Sequence, residues 1–133
     1  MSTKQACGLT VLRIAVAIVF LMHGGQKIFV LGFHNVTGMM AFLHIPLPHI
    51  SAIVVSLVEF IGGLMLLFGA GTRLAALLLA IDMAVAILKV HLKGGFFLPA
   101  GYEFALTLLL ANIALMVGGG GSASVDGVLA KRK

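Results

Sequence analysis

A few side chains interrupt a sequence otherwise rich in Leu, Ile, Val, Ala and Gly: Arg13, His23, Lys27, Glu59, Asp82 and Glu103. An ammonium, an imidazole and carboxyls brought to one place can donate and accept hydrogen bonds and exchange protons. Each lies in or beside an apolar run. A charge at the centre of a membrane helix costs on the order of 2.5–3.5 kcal/mol on insertion scales, so each is expected to turn inward and find a partner. Along LTVLRIAVAIVFLMHGGQKIFVLG, residues 9–32, a rotation of about 100° per residue puts Arg13, Phe20, His23, Gly24 and Lys27 on a common face. With mid-bilayer near residues 20, 60, 82 and 110, Glu59 and Asp82 sit almost at the centre.

Side chains lean toward the N-terminus of their own helix. Lys27 starts about 10 Å outward of the centre, at roughly 1.5 Å per residue, and leans in, while Glu59 on an antiparallel helix leans out. This predicts an outer-half cluster of His23, Lys27, Glu59 and Glu103, and an inner buried pair of Arg13 with Asp82. The competing reading is that the charges only hold helices together, with Arg13 and Lys27 snorkelling to the interfaces. Two acids at mid-depth exceed what packing needs, because Gly62, Gly63, Ser56 and the alanines already allow close approach. Arg13 and Lys27 set against Glu59, Asp82 and Glu103 leave one surplus negative charge. A protonated carboxyl or a charged His23 would balance it, which makes the site proton-responsive.

The elements that must position these groups follow from composition. The chain has 133 residues, 61% hydrophobic and 10% charged, with a mean hydropathy of +1.18; soluble domains carry about 25% charged residues. Nine Lys and Arg with four Asp and Glu cannot cover a water-facing exterior, so the exterior must meet lipid. Continuous apolar runs at roughly 9–31, 50–70, 73–92 and 102–118 predict four helical crossings. Barrel strands would alternate instead. The expectation is an all-α, integral membrane, antiparallel four-helix bundle spanning 1–133 as a single domain, with residues 33–49 as an interfacial loop in which Val36 to His44 form a turn or two. MSTKQACGLTVLR shows no small-residue cleavage site after it, so the first helix is expected to be retained. Lys4, Arg73, Lys131, Arg132 and Lys133 fall on one side and Lys27, Lys89 and Lys93 on or toward the other. The excess puts both termini in the cytoplasm. Anionic lipid explains the basic tail, so no nucleic acid is needed as a partner. The run GGGGSASVDG reads as a flexible exit.

Cys7 is the only cysteine, which excludes an intramolecular disulfide. His23, His34, His44, His49 and His91 fall on the outer half with Met22, Met39 and Met40, but no ligand spacing defines a metal site. The chain has no haem-attachment motif, dinucleotide fingerprint or iron–sulfur cysteine set, so it cannot carry electrons without a bound cofactor.

These residues resemble the DoxX family of small membrane proteins. Its first helix commonly carries an Arg, then FL, then HG and a Lys, matched by Arg13, Phe20-Leu21, His23-Gly24 and Lys27. A family-like E..GG..LL.G..TR pattern is matched by Glu59, Gly62, Gly63, Leu66, Leu67, Gly69, Thr72 and Arg73. An outer H…GFF…GYEF pattern is matched by His91, Gly95, Phe96, Phe97, Gly101, Tyr102, Glu103 and Phe104. The glycine-rich ending before Ser124 and Asp126 also looks like the family's. Ala17, where glycine is frequent, and the lack of a proline in the final glycine run depart from it. The resemblance implies a multi-pass four-helix bundle in the prokaryotic cytoplasmic (inner) membrane. It also implies links to quinone-reducing oxidation, oxidative stress and accessory roles beside redox enzymes. One functional reading is a quinone-linked redox component, with quinone as a non-covalent cofactor met by His23, Lys27, Glu59, Tyr102 or Glu103 and with His91 as an outer-loop candidate. A second is a non-catalytic accessory or assembly subunit of a membrane redox complex. A third is a small transporter or metal-handling protein. The partners expected are lipid, a redox partner protein, and a second copy of the chain or a larger complex.

Overall fold

Ser2 begins the first helix: its hydroxyl accepts from the Gln5 amide, while the Gln5 side chain accepts from the Ser2 amide, a reciprocal cap. The computed structural model describes all 133 residues and contains helices and no strands. Helix α1 (Thr3–Gly25) passes into a π-helical segment, Gln26–Leu31, and then into α2 (Gly32–Phe42). Pro48 opens α3 (Pro48–Phe68), where a missing N–H is harmless. Gly69 closes it at φ +66°, in the left-handed region that glycine enters without strain. Helix α4 (Thr72–Ala86) runs on through a second π segment, Ile87–His91, and a 3₁₀ turn, Leu92–Gly94. Helix α5 is Glu103–Gly118 and α6 is Val125–Ala130.

Three helical runs, Thr3–Phe42, Pro48–Phe68 and Thr72–Gly94, are long and apolar enough to cross a membrane, and α5 is a shorter apolar helix. Large apolar side chains such as Val11, Phe29, Phe42, Phe68 and Val117 face outward, as lipid contact requires. Inside, α1 packs on α3, α3 on α4 and α4 on α5, around Val16, Phe20, Leu66, Leu79, Leu108 and Leu115. The α1–α3 contact is close because two glycines face it. A Cβ on Gly24 would stand 2.8 Å from Phe60 Cα, and one on Gly63 would stand 2.9 Å from the Leu21 backbone nitrogen. Within residues 33–49 the chain is helical as far as Phe42, and Val36 and Met40 are buried against Ala52 of α3.

At the end holding both termini, the glycine-rich segment is tied down rather than free, which corrects the expectation of a flexible exit. Arg13 is 1% exposed. Its Nε donates to Gly120 O at 2.8 Å, Nη2 to Ala123 O at 2.5 Å, and Nη1 to Leu67 O at 2.7 Å and also to Leu66 O. The inner pair of Arg13 with Asp82 is therefore not formed. Arg13 leans toward its own N-terminus, and there the last carbonyls of α3 and those of the tail lack donors. A guanidinium can serve several of them at once, and a cation is favoured at a helix C-terminus.

Asp126 completes the lock, its carboxylate accepting from the Gly71 amide at 2.8 Å and the Thr72 amide at 2.9 Å. A side chain distant in sequence thus caps the start of α4. Burial alone would push the Asp126 carboxyl up. The hydrogen bonds from Thr72 and Gly71, with Arg13 nearby, outweigh it and hold the group below the usual carboxylate range.

Candidate functional site

The end opposite the termini holds a cavity of about 550 Å³ between α1, α2, α3, α4 and α5. Most of its wall is apolar, including Phe20, Met39, Met40, Met83, Phe104 and Leu108. The polar members are His23, Lys27, Ser51, Glu59, Asp82 and His91. Gly24 lets α3 approach closely, and Lys27, one turn further on, shares its face of the helical run. Lys27 Nζ accordingly reaches Glu59 Oε2 at 2.7 Å. The two side chains are 16% and 6% exposed, so the pair is shielded on both sides. A shielded ammonium–carboxylate contact at this distance is a charge-assisted hydrogen bond.

Asp82 enters the same cavity from α4 instead of turning toward Arg13. Glu59 and Lys27 are the charged groups within its electrostatic reach. Its Oδ2 is closed to solvent, and the Glu59 carboxyl lies within hydrogen-bonding reach of Asp82, a carboxyl–carboxylate contact that requires one shared proton. Asn112 Oδ1 on α5 is buried without a hydrogen-bond partner, but Asn112 does not line the cavity.

His23 lines the cavity while remaining exposed, with its ring 6.3 Å from that of Phe104. Lys27 and His91 both sit on the π-helical segments, which continue α1 and α4 at the cavity's margin. A π segment shifts the register of the following residues by a fraction of a turn, and such segments gather at functional sites. Sequence periodicity carries no sign of either segment.

Two expected members lie elsewhere. Glu103 Oε1 accepts from the Leu98 amide at 3.2 Å in the first turn of α5, where an acid also meets the positive end of the helix. Tyr102 packs edge-on against Phe96 at 5.5 Å in the folded loop that precedes α5. Neither lines the cavity. The Leu98–Glu103 contact spans only five residues, and this local partner outcompetes the distant cluster. Asp82, expected to turn inward beside Arg13, turns inward beside Glu59 and Lys27 instead. Its mid-helix position on α4, with hydrophobic neighbours, was the available signal, and its inward turn toward Glu59 was the part that spacing did not give. No three His, Cys, Asp or Glu side chains converge as a metal-binding set.

Comparison with known proteins adds to this geometry. Residues 8–92 match the DoxX family. A Bacillus subtilis protein named "Putative oxidoreductase CatD" is 35% identical over 116 residues, 86% of this chain and 83% of that protein. A Haemophilus influenzae protein is 31% identical over 128 residues, 93% of this chain and 92% of that one. A membrane protein of Mycobacterium tuberculosis is 34% identical over 132 residues, 91% and 80% of the respective chains. No solved structure is significantly similar.

Proposed function

The chain belongs to the DoxX family, and from that premise we propose that it is a quinone-linked redox component of a prokaryotic cytoplasmic membrane, crossing it four times with both termini inside. The observation that carries this reading is the meeting, in one apolar cavity, of a carboxylate-held ammonium and a second acid beside it. The oxidoreductase name of the Bacillus relative supports a redox role. Lys4, Arg73 and the basic tail at the end holding the termini support the orientation.

The residues fit such a ligand on two counts. A volume of about 550 Å³ is within the range of small-molecule sites, roughly 300–1,000 Å³, and mostly apolar walls suit a lipid-soluble ring. The polar groups add what a quinone carbonyl oxygen needs, a strong donor, held in place by a carboxylate. When bound, a quinone supplies the electron-accepting couple that these side chains lack. Lys27 donates from Nζ to a ring oxygen. Glu59 fixes the position of Lys27 and balances its charge. His23, lining the cavity yet exposed, passes protons between the site and the exterior. The apolar walls exclude water and so strengthen each of these contacts. Reducing equivalents come from a partner protein or a diffusible reductant, since the chain has no cofactor motif of its own.

Calorimetric titration of the purified protein in lipid nanodiscs with a short-chain quinone tests the reading. Saturable binding is expected, weakened about tenfold or more in Lys27→Met because a hydrogen bond from a charged group is lost. Absence of saturable binding overturns the proposal.

A further inference from the structure

We propose that the ligand reaches the cavity sideways from the lipid, through a slot between α3 and α4 in the half of the membrane opposite the termini, and that it carries an apolar tail which stays in that slot while its ring meets Lys27. The inference rests on the quinone reading and adds to it the class of ligand, a ring with a hydrocarbon chain, and the door by which it comes and goes.

The slot follows from how the two helices meet. Helix α3 packs chiefly on α1 and α4 chiefly on α5, so the seam between α3 and α4 carries less packing than either of those. In the half nearer the termini that seam is closed: Gly62 is buried, and a Cβ there would stand 3.2 Å from Leu79 Cγ. Glu59 and Asp82 meet one turn further on. Beyond them neither helix has a glycine as far as Pro48 and His91, so valine and isoleucine side chains hold the backbones apart. Ile50 and Val54 of α3, Val85 of α4 and Val90 of the π segment after it all line the cavity, yet they are 36–55% exposed. Phe20, Met83 and Leu108 line the same cavity and are 8% exposed or less. Facing the cavity therefore exposes little surface. The four rim residues owe their exposure to the exterior, and the wall is open between them.

The opening faces hydrocarbon. With Glu59 and Asp82 at mid-depth, the stretch from Val85 to Ile50 lies about 5–13 Å from the centre at roughly 1.5 Å per residue, inside an apolar half-thickness of about 15 Å. The seam between α1 and α5 also borders the cavity, but it carries His23, with its ring 6.3 Å from that of Phe104. An imidazole there suits protons and water better than a chain.

The order of polarity selects the occupant. The Lys27–Glu59 pair, at 2.7 Å, stands at the deep end, and the apolar rim stands at the lipid. A phospholipid keeps its headgroup at the surface, so only its chain would reach the pair, and the remaining donors of the Lys27 ammonium would go unserved. A ring with a carbonyl oxygen and a hydrocarbon tail enters head first, its oxygen on Lys27 and its chain in the slot. Lipid is as apolar as the tail, so the slot adds no hydrophobic gain. Blocking the slot, in contrast, removes room that the tail needs.

The test is calorimetry on the full chain in lipid nanodiscs with two ligands that share one ring, a tail-less methyl quinone and the same quinone with a short isoprenoid tail. The proteins are wild type, Val54→Trp, Val85→Trp and, as a control on the lipid face of α1, Ile18→Trp. Partition into lipid is common to all four, so the ratio of variant to wild type isolates the site. In both slot variants the tailed quinone is expected to bind at least about tenfold more weakly, with the tail-less quinone within about threefold of wild type. Retained binding of the tail-less quinone also shows that the variants are folded, and Ile18→Trp should move neither ligand. A tailed quinone that binds the slot variants as it binds wild type, or equal losses for both ligands, overturns the inference and leaves the quinone reading standing. If the slot variants do not fold, wild type decides through photolabelling by the tailed quinone with a diazirine on its first isoprene unit. Labels on Ile50, Val54, Val85 and Val90 that excess tail-less quinone displaces are then expected. Labels on the seam between α1 and α5, or slot labels that excess tail-less quinone leaves in place as it would a lipid chain, overturn the inference. Failure of both ligands to bind wild type overturns the inference and the quinone reading together.

Discussion

Replacing Lys27 and Glu59 by methionine, singly and together, separates a working ion pair from two independent charges. The groups meet at 2.7 Å with side chains 16% and 6% exposed, so water screens little of their attraction. Removing one partner leaves the other charged and desolvated in an apolar wall, which costs about 3–5 kcal/mol. Removing both takes away attraction and desolvation together, and methionine fills similar volume, so the double variant should lie within about 1–2 kcal/mol of wild type. The singles added together would then overstate the double by several kcal/mol. Reversible unfolding in mixed micelles, followed by circular dichroism, measures all four proteins. Single losses that add within about 0.5 kcal/mol would refute the reasoning, because uncoupled charges behave that way.

Three further outcomes follow from the packing. Arg13→Lys keeps the charge but loses the planar fork that serves four carbonyls; a loss of about 2 kcal/mol or more and faster amide hydrogen exchange over residues 119–127 are expected. Gly24→Ala places a Cβ 2.8 Å from Phe60 Cα and forces α1 from α3; a loss of about 1–3 kcal/mol should come with weaker ligand binding, since Lys27 moves with α1. The Asp126 contribution, from a carboxyl held low in the folded protein, should be fully present above about pH 4 and vanish as pH falls through its depressed value. A scan of thermal stability against pH should show that acid step in wild type and not in Asp126→Asn.

The membrane-spanning character and the inward face of α1 can be read from the sequence, because an apolar run and a 100° rotation are local properties. The approach of Lys27 to Glu59 is legible too, since the opposed lean of antiparallel helices needs only their direction. Arg13 is different. Its partners are backbone carbonyls of α3 and the tail, and carbonyls occur at every position, so no residue type announces them. With Arg13 held by those carbonyls the expected Arg13–Asp82 pair is not formed, and Asp82 lines the cavity on the Glu59 side. Glu103 was lost to a loop amide five residues away, a competition decided by turn geometry. The π segments that carry Lys27 and His91 shift register by less than a turn, which hydrophobic spacing does not resolve.

The central claim, that one shielded cavity receives a lipid-soluble quinone against Lys27, is tested most directly by photolabelling. A photoactivatable short-chain quinone is crosslinked to the protein in membranes, with and without excess unlabelled quinone, and the sites are mapped by mass spectrometry. Labels concentrated on cavity residues such as Met39, Met83 and Phe104, and removed by the competitor, are the expected result. Labels spread over lipid-facing residues such as Val11, Phe68 and Val117, and indifferent to the competitor, would contradict the account.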